Sequence, residues 1–410
     1  MNGPTITPAM DRHNGRLFFL SYSLVLLVAP VMYVDAVQAA LCHKLGANAT
    51  VANLPGAMLM LGALSPLVLS LIVPHRLDRA VLVVAKAASA LSMALVFLTL
   101  ILQLPAWIVI TAVITQGLLH GFANSTANVF NYQCLARGTT AEGRARAFKY
   151  TFSLGPILAV AGSLGTQYVL NHGFSSLPFP YDFALLYAIA TFAITGVSIL
   201  SSRYQMIPMA DEPRPPIVQY FGASLRQFFG SRSLLLLFLV YVLWHCAHSA
   251  TVNLSLFASH TTHKEPKEMV GYMMAIRFGC KAAAGYLLGV IALRAGIRAS
   301  VIAASLFFLL GLSWGWAVPG YAFLLAFGFM GAGELGGAYI PNCGLGLSRP
   351  QDSARNLSIL AMATAVASFA PTLHGALADR YGFPASFAFG ILMACGAIGL
   401  TLLIRKPPAT

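Results

Sequence analysis

The feature that most constrains this chain is a succession of apolar stretches, each of about 20 residues or more and so long enough to cross a bilayer as a helix. Twelve occur, at 17–41, 51–73, 80–103, 105–132, 148–170, 182–201, 233–257, 269–292, 299–317, 320–346, 356–377 and 383–404. Together they take up more than half of the 410 residues and leave room for little besides short loops. Charged residues make up only 9% of the chain, where soluble domains carry about 25%. A water-soluble catalytic domain, a disordered regulator and a nucleic-acid binder are all excluded, because none keeps so much apolar surface out of water. The first stretch exceeds the roughly 7–15 apolar residues of a cleavable signal and is expected to remain as a helix.

The basic residues orient the chain, since cytoplasmic loops retain Lys and Arg. With the N-terminus inside, eighteen of the 25 fall on the cytoplasmic side, among them Arg12, Arg16, Arg76, Arg79, Arg137, Arg144, Arg146, Arg294 and Arg298. Four fall outside (Lys44, Lys264, Lys267 and Arg380), and Lys86, Arg277 and Lys281 lie within spans. Both termini are therefore expected in the cytoplasm, with the protein embedded in a bacterial inner (plasma) membrane.

The longest loop, 202–232, separates six spans from six. The expected architecture is an all-α polytopic membrane protein of twelve transmembrane helices in two six-helix pseudo-repeats, 1–201 and 233–410. The loop opens with a Pro-rich stretch, Pro208 to Pro216, that cannot be regular helix. Ile217, Phe221, Leu225, Phe228 and Phe229 then recur at helical spacing, which suits either a short helix on the inner membrane surface or a plain linker. The halves echo each other: Asn131 precedes Arg137 as Asn342 precedes Arg349, and Gly155-Pro156 parallels Ala370-Pro371. Parallel repeats of this kind place a substrate path near the bilayer midplane. The six cysteines contain no CxxC pair and are not expected to form a disulfide.

Several segments carry a family resemblance. Gly289-Val-Ile-Ala-Leu-Arg294-Ala-Gly296-Ile-Arg298 is similar to the G-x-x-x-D-R-x-G-R-R signature of the major facilitator superfamily, with Leu293 in place of the acid. Pro74-His-Arg76-Leu-Asp78-Arg79 stands at the equivalent place in the first half without the glycines. Glu142-Gly-Arg144-Ala-Arg146 and Gly375-Ala-Leu-Ala-Asp379-Arg380-Tyr-Gly382 support the match. The resemblance implies a secondary transporter whose gating motif includes Gly289, Arg294, Gly296, Arg298, Arg76 and Arg79, and whose first, fourth, seventh and tenth helices line the cavity. Gln116-Gly117 resembles part of the drug/proton antiporter motif, but Val113 stands where those exporters carry Arg.

Ionisable groups inside spans are costly and mark function. At about 1.5 Å per residue, Lys281, Glu334, His120, His245 and His248 come out at one central depth. Arg277 and Lys281, four apart, share a helix face and need an anion. Glu334 and Asp35 are the acids inside spans. Glu334 pairs Lys281 as a gate, or else Arg277 and Lys281 hold a solute anion while Glu334, and Asp35 nearer the outside, carry a proton. Gln116, His120, Asn124, Asn128 and Asn131 form a polar stripe on the fourth helix, and Trp244, His245 and His248 share a face on the seventh. The histidine spacing is read as hydrogen bonding or proton relay rather than metal binding. Glycines around Glu334 permit close packing or local unwinding, and Tyr339 follows one turn further on. Lys86 is expected to snorkel to the inner surface, and Asp182 and His374 to be exposed near helix ends.

The candidate solute-binding residues are thus Arg277, Lys281, His120, Gln116, Asn124, His245, His248, Trp244 and Tyr339, with Glu334 and Asp35 for proton coupling. The expected activity is secondary active transport of a small anionic or zwitterionic solute by alternating access, coupled to protons. No enzymatic activity, cofactor, metal or nucleic-acid partner is expected of this chain, which is expected to act as a monomer in the bilayer. A proton-driven exporter of drugs or metabolites, and a transporter-shaped sensor, are the competing readings.

Overall fold

The computed structural model describes residues 6–33, 36–171, 177–208, 217–348 and 352–404. Every regular element among them is helical. Among the described residues, nine helical stretches are long and apolar enough to cross a membrane, and Ala49–Leu64 and Leu154–Leu170 are shorter apolar ones. Large apolar side chains point outward from them, such as Leu91, Phe192, Tyr286 and Leu392, all more than 60% exposed. A soluble fold would bury such a set; here it is the surface offered to lipid. The protein is an integral membrane protein.

Two compact units emerge, one formed by 1–34 with 62–213 and the other by 35–61 with 214–410. In the first, Pro8–Leu27 begins where the Thr7 hydroxyl accepts the Met10 amide at 3.2 Å, with Pro8 at the first turn. It packs against Ala141–Leu170, itself capped by Thr140 on Gly143, and against Tyr181–Ser202. Asp78–Ile101 lies between Ala106–Gly138 and Tyr181–Ser202. Leu17, Phe18, Leu82, Phe130, Leu135 and Tyr204 fill the core at the end that carries Asn14. There Asn14 donates to the carbonyls of Gly138 and Gln205, both at 2.7 Å, and accepts from the Gln205 amide at 3.0 Å.

Charge alone would end the fourth span near residue 132, yet the helix runs on to Gly138, and its successor starts at Ala141 rather than near 148. The extra turns are held by polar bonds. Arg137 makes a 2.9 Å ion pair with buried Asp78 and donates to the Ile207 carbonyl, and Arg79 donates to the Tyr204 carbonyl. Hydropathy marks where lipid contact stops, which is not where helix stops.

The second unit contains Ala36–Lys44, Ala49–Leu61, Ile217–Gly230 and the helices from Arg232 to Leu403. The stretch from Ile217 is helical, and Phe228 near its end is fully buried against Phe238. Several spans that read as continuous are built from two helices. Leu27 gives way to a second short helix at Ala29, and Gly62–Leu64 is a 3-10 turn ahead of Ser65–Ile72. Ser249-Ala250, Glu334-Leu335 and Ala367-Ser368 interrupt three more. Pro30 and Pro66 sit in the first turn after their breaks, where a missing amide costs nothing. Gly296, at φ +87°, makes the sharp turn between Pro266–Ala295 and Ile297–Ala317, a conformation that penalises any side chain.

Candidate functional site

The site in the second unit begins at the interruption after Gly333. Leu325–Gly333 lies so close to Pro266–Ala295 that a Cβ at Gly331 would collide with the backbone carbonyl of Arg277. Glycine at 331 therefore lets the two backbones touch, and the helix break places Glu334 beside the cationic face of the neighbouring helix. Trp244 holds the break, donating its indole N–H at 3.2 Å to the Gly333 carbonyl, and Gly336 packs directly under its ring.

Three ionised side chains meet there. Arg277, only 1% exposed, donates through Nε to Glu334 Oε1, and Lys281 donates to Oε2 at 2.9 Å. The Lys281 side chain is a quarter exposed, whereas Glu334 is buried. His248 Nε2 lies 3.7 Å from Glu334 Oε1 and 3.4 Å from Arg277 Nη2, and Arg277 Nη1 reaches the Met274 sulfur at 3.6 Å. The His248 ring stacks on Trp244 with centroids 5.7 Å apart and planes within 4°. Both cations thus converge on the Glu334 carboxylate, with Lys281 at the accessible edge. Such a cluster is suited to receiving an anion.

The other sequence candidates are dispersed. His245 turns from His248 toward Thr364, 2.8 Å away, and packs on Tyr241, so the two histidines face different partners. Tyr339 is half-buried beside Gly289. In the first unit, Gln116 is wholly buried, donating to the Met93 sulfur at 3.3 Å and facing the Tyr187 hydroxyl. His120 is equally enclosed and bonds Ser89 at 2.8 Å. The polar stripe therefore divides, its first two members packing between helices while Asn124, Asn128 and Asn131 line a small cavity. Asp35 lies outside the described residues.

Among the motif residues, Arg298 donates to the carbonyls of Ile404 and Leu402, closing the end of Phe383–Leu403. Arg294 and Arg76 are exposed, and Arg79 reaches the Tyr204 carbonyl as described above. Asp78 of the first-half motif pairs with Arg137 at 2.9 Å.

Several polar groups lie where sequence depth alone did not put them. Lys86 does not reach a surface; it is 6% exposed and lines the cavity with Asn124. Asp182 and His374 are fully buried, not exposed at helix ends. His374 bonds Ser386 at 2.7 Å and the Cys246 carbonyl at 2.9 Å. Asn253 donates to Ser386 and to the His374 carbonyl, and accepts from Asn53 at 2.7 Å. Asp379 accepts the amides of Ala49 and Thr50 at 2.9 and 2.8 Å. Single Asn and His residues inside apolar runs were the available signal, but sequence spacing cannot pair residues some 200 positions apart.

Comparison with solved structures decides the architecture. The nucleoside transporter NupG superposes with a TM-score of 0.67 over 96% of this chain and 98% of its own, at 11% identity. The proton-dependent oligopeptide family transporter PepTSo gives 0.68 over 96% and 97%, at 11% identity. A bacterial homologue of the iron transporter ferroportin gives 0.63 over 96% and 98%, at 14% identity. The fold is that of the major facilitator superfamily. No protein-family model matches the sequence, and no curated protein does. At identities this low, such likeness speaks for fold and leaves function to be argued from the site.

Proposed function

We propose that the protein is a secondary active transporter of a small solute bearing a carboxylate or similar anionic group, working by alternating access with proton coupling. The observation that carries this reading is the buried cluster in which Arg277 and Lys281 both meet Glu334 while Lys281 stays accessible. In the proposed cycle the solute anion competes with Glu334 for Lys281. As Lys281 turns to the solute, Glu334 loses a counter-charge in a low-dielectric site and takes up a proton. Charge balance thereby links solute to proton, and each proton moving inward gains about 2.3 kcal/mol per 100 mV. The positive-inside distribution of Lys and Arg supports cytoplasmic termini.

The test is uptake into proteoliposomes under an imposed pH gradient. Glu334→Gln is expected to abolish gradient-driven accumulation while solute exchange persists. Accumulation at the wild-type level in this variant refutes proton coupling through Glu334.

A further inference from the structure

A second cationic site lies inside the first unit, and the transport reading does not use it. Lys86, on Asp78–Ile101, is more than nine-tenths buried, and no hydrogen bond or ion pair is made by its ammonium among the described residues. It lines a cavity of about 20 Å³ together with Ser21, Tyr22, Asn124, Asn128 and Asn131. Among the described residues, no acid lines this space. The Ser21 hydroxyl and the Asn131 carboxamide oxygen are buried there with no hydrogen-bond partner.

An ammonium in such a place costs several kcal/mol unless a counter-charge accompanies it. Neutral hydrogen-bonding groups lower that cost without removing it. The donors that face the cavity are the lysine ammonium, the Ser21 hydroxyl and the asparagine amides, while the Tyr22 hydroxyl already donates to Tyr132 at 3.2 Å. The unpartnered oxygen of Asn131 becomes an N–H donor on rotation of its carboxamide, whose two ends are assigned only by their partners. The volume admits one particle of about the size of water, which is too little for the body of an organic anion.

We infer that the Lys86 cavity is a binding site for a single halide ion, chloride under ordinary conditions, held by Lys86, Ser21 and the amides of Asn128 and Asn131. Chloride supplies the missing counter-charge, so the bundle around Lys86 is fully stable only when the ion is bound. The site stands apart from Arg277, Lys281 and Glu334 in sequence and in its compact unit, so it survives if the solute reading fails.

The experiment is thermal unfolding of the full-length protein in neutral-lipid nanodiscs, in sodium chloride, bromide or gluconate at equal ionic strength. Chloride and bromide are expected to raise Tm above gluconate by about 2–4 °C. Lys86→Gln should abolish the rise, and in gluconate it should unfold at or above the wild-type temperature because the uncompensated charge is gone. Equal wild-type Tm in all three salts overturns the inference, as does an undiminished halide effect in Lys86→Gln. Stability that depends on pH but not on the anion also overturns it, because it makes Lys86 a neutral amine. Should Lys86→Gln not fold, equilibrium binding of radioactive chloride to the wild type decides: one ion per chain, displaced by bromide and not by gluconate, upholds the site, and none bound rejects it.

Discussion

Arg277 is the largest fully buried side chain among the described residues. A guanidinium in that position persists because Glu334 neutralises it and because Met274 and His248 occupy its other edges. Lys281 is held by the same carboxylate but remains a quarter exposed, and the proposed cycle assigns it the exchange of partners. Replacing it by Met should raise the KM for the solute about tenfold or more and leave Tm nearly unchanged; an unaltered KM makes Lys281 structural. Gly331→Ala should lower Tm for a different reason. The added methyl meets the Arg277 backbone, and overpacking of this kind costs about 1–3 kcal/mol; an unchanged melting curve contradicts that account. Arg277, Lys281 and Glu334 were legible in the sequence because each is a charge interrupting an apolar run. Lys86 was legible as a charge but not as a buried one, since distance along a helix gives depth and says nothing about which face a side chain occupies.

Helices were readable from hydropathy, and their interruptions less so. The glycines around Glu334 allowed for either close packing or a break, and the helix breaks there, whereas Ser249-Ala250 and Ala367-Ser368 carry no such mark. Two bonds at helix ends offer tests at this scale. Asp379 caps Ala49–Leu61 through two backbone amides and the Thr50 hydroxyl. Asp379→Ala should cost about 0.5–2 kcal/mol, read as a fall in Tm. Glu265, ahead of Pro266–Ala295, accepts from Lys44 at 2.9 Å, and that hydrogen bond holds its carboxyl below the usual range. A lowered carboxyl pKa gives stability that is complete above about pH 4.3. It is lost as pH falls through the folded value. Half of the Glu265 side chain is exposed, so solvent screening keeps the effect small. Lys44→Ala should therefore change Tm slightly near neutrality, and the difference from wild type should vanish in acid. A difference that grows on acidification contradicts the pairing.

At the scale of the whole molecule, the membrane assignment and helical class followed from composition, because 9% charge and long apolar runs leave few alternatives. The resemblance of Gly289 to Arg298 to a family signature pointed to the fold, and superposition on solved transporters supplied it. Membership of residues 35–61 in the second compact unit was not readable, because it depends on Asn53 meeting Asn253 and on Asp379 capping Ala49, partners 200 and 330 positions away. Function is argued from the site rather than from the fold. The central claim, carriage of an anionic or zwitterionic solute through Arg277, Lys281 and Glu334, is tested most directly by counterflow into proteoliposomes with organic anions, dipeptides, amino acids, neutral sugars and drug-like cations. The expected result is exchange of carboxylate-bearing solutes that is weakened by Lys281→Met. Exchange confined to neutral sugars or cations, and indifferent to Lys281→Met, would contradict it.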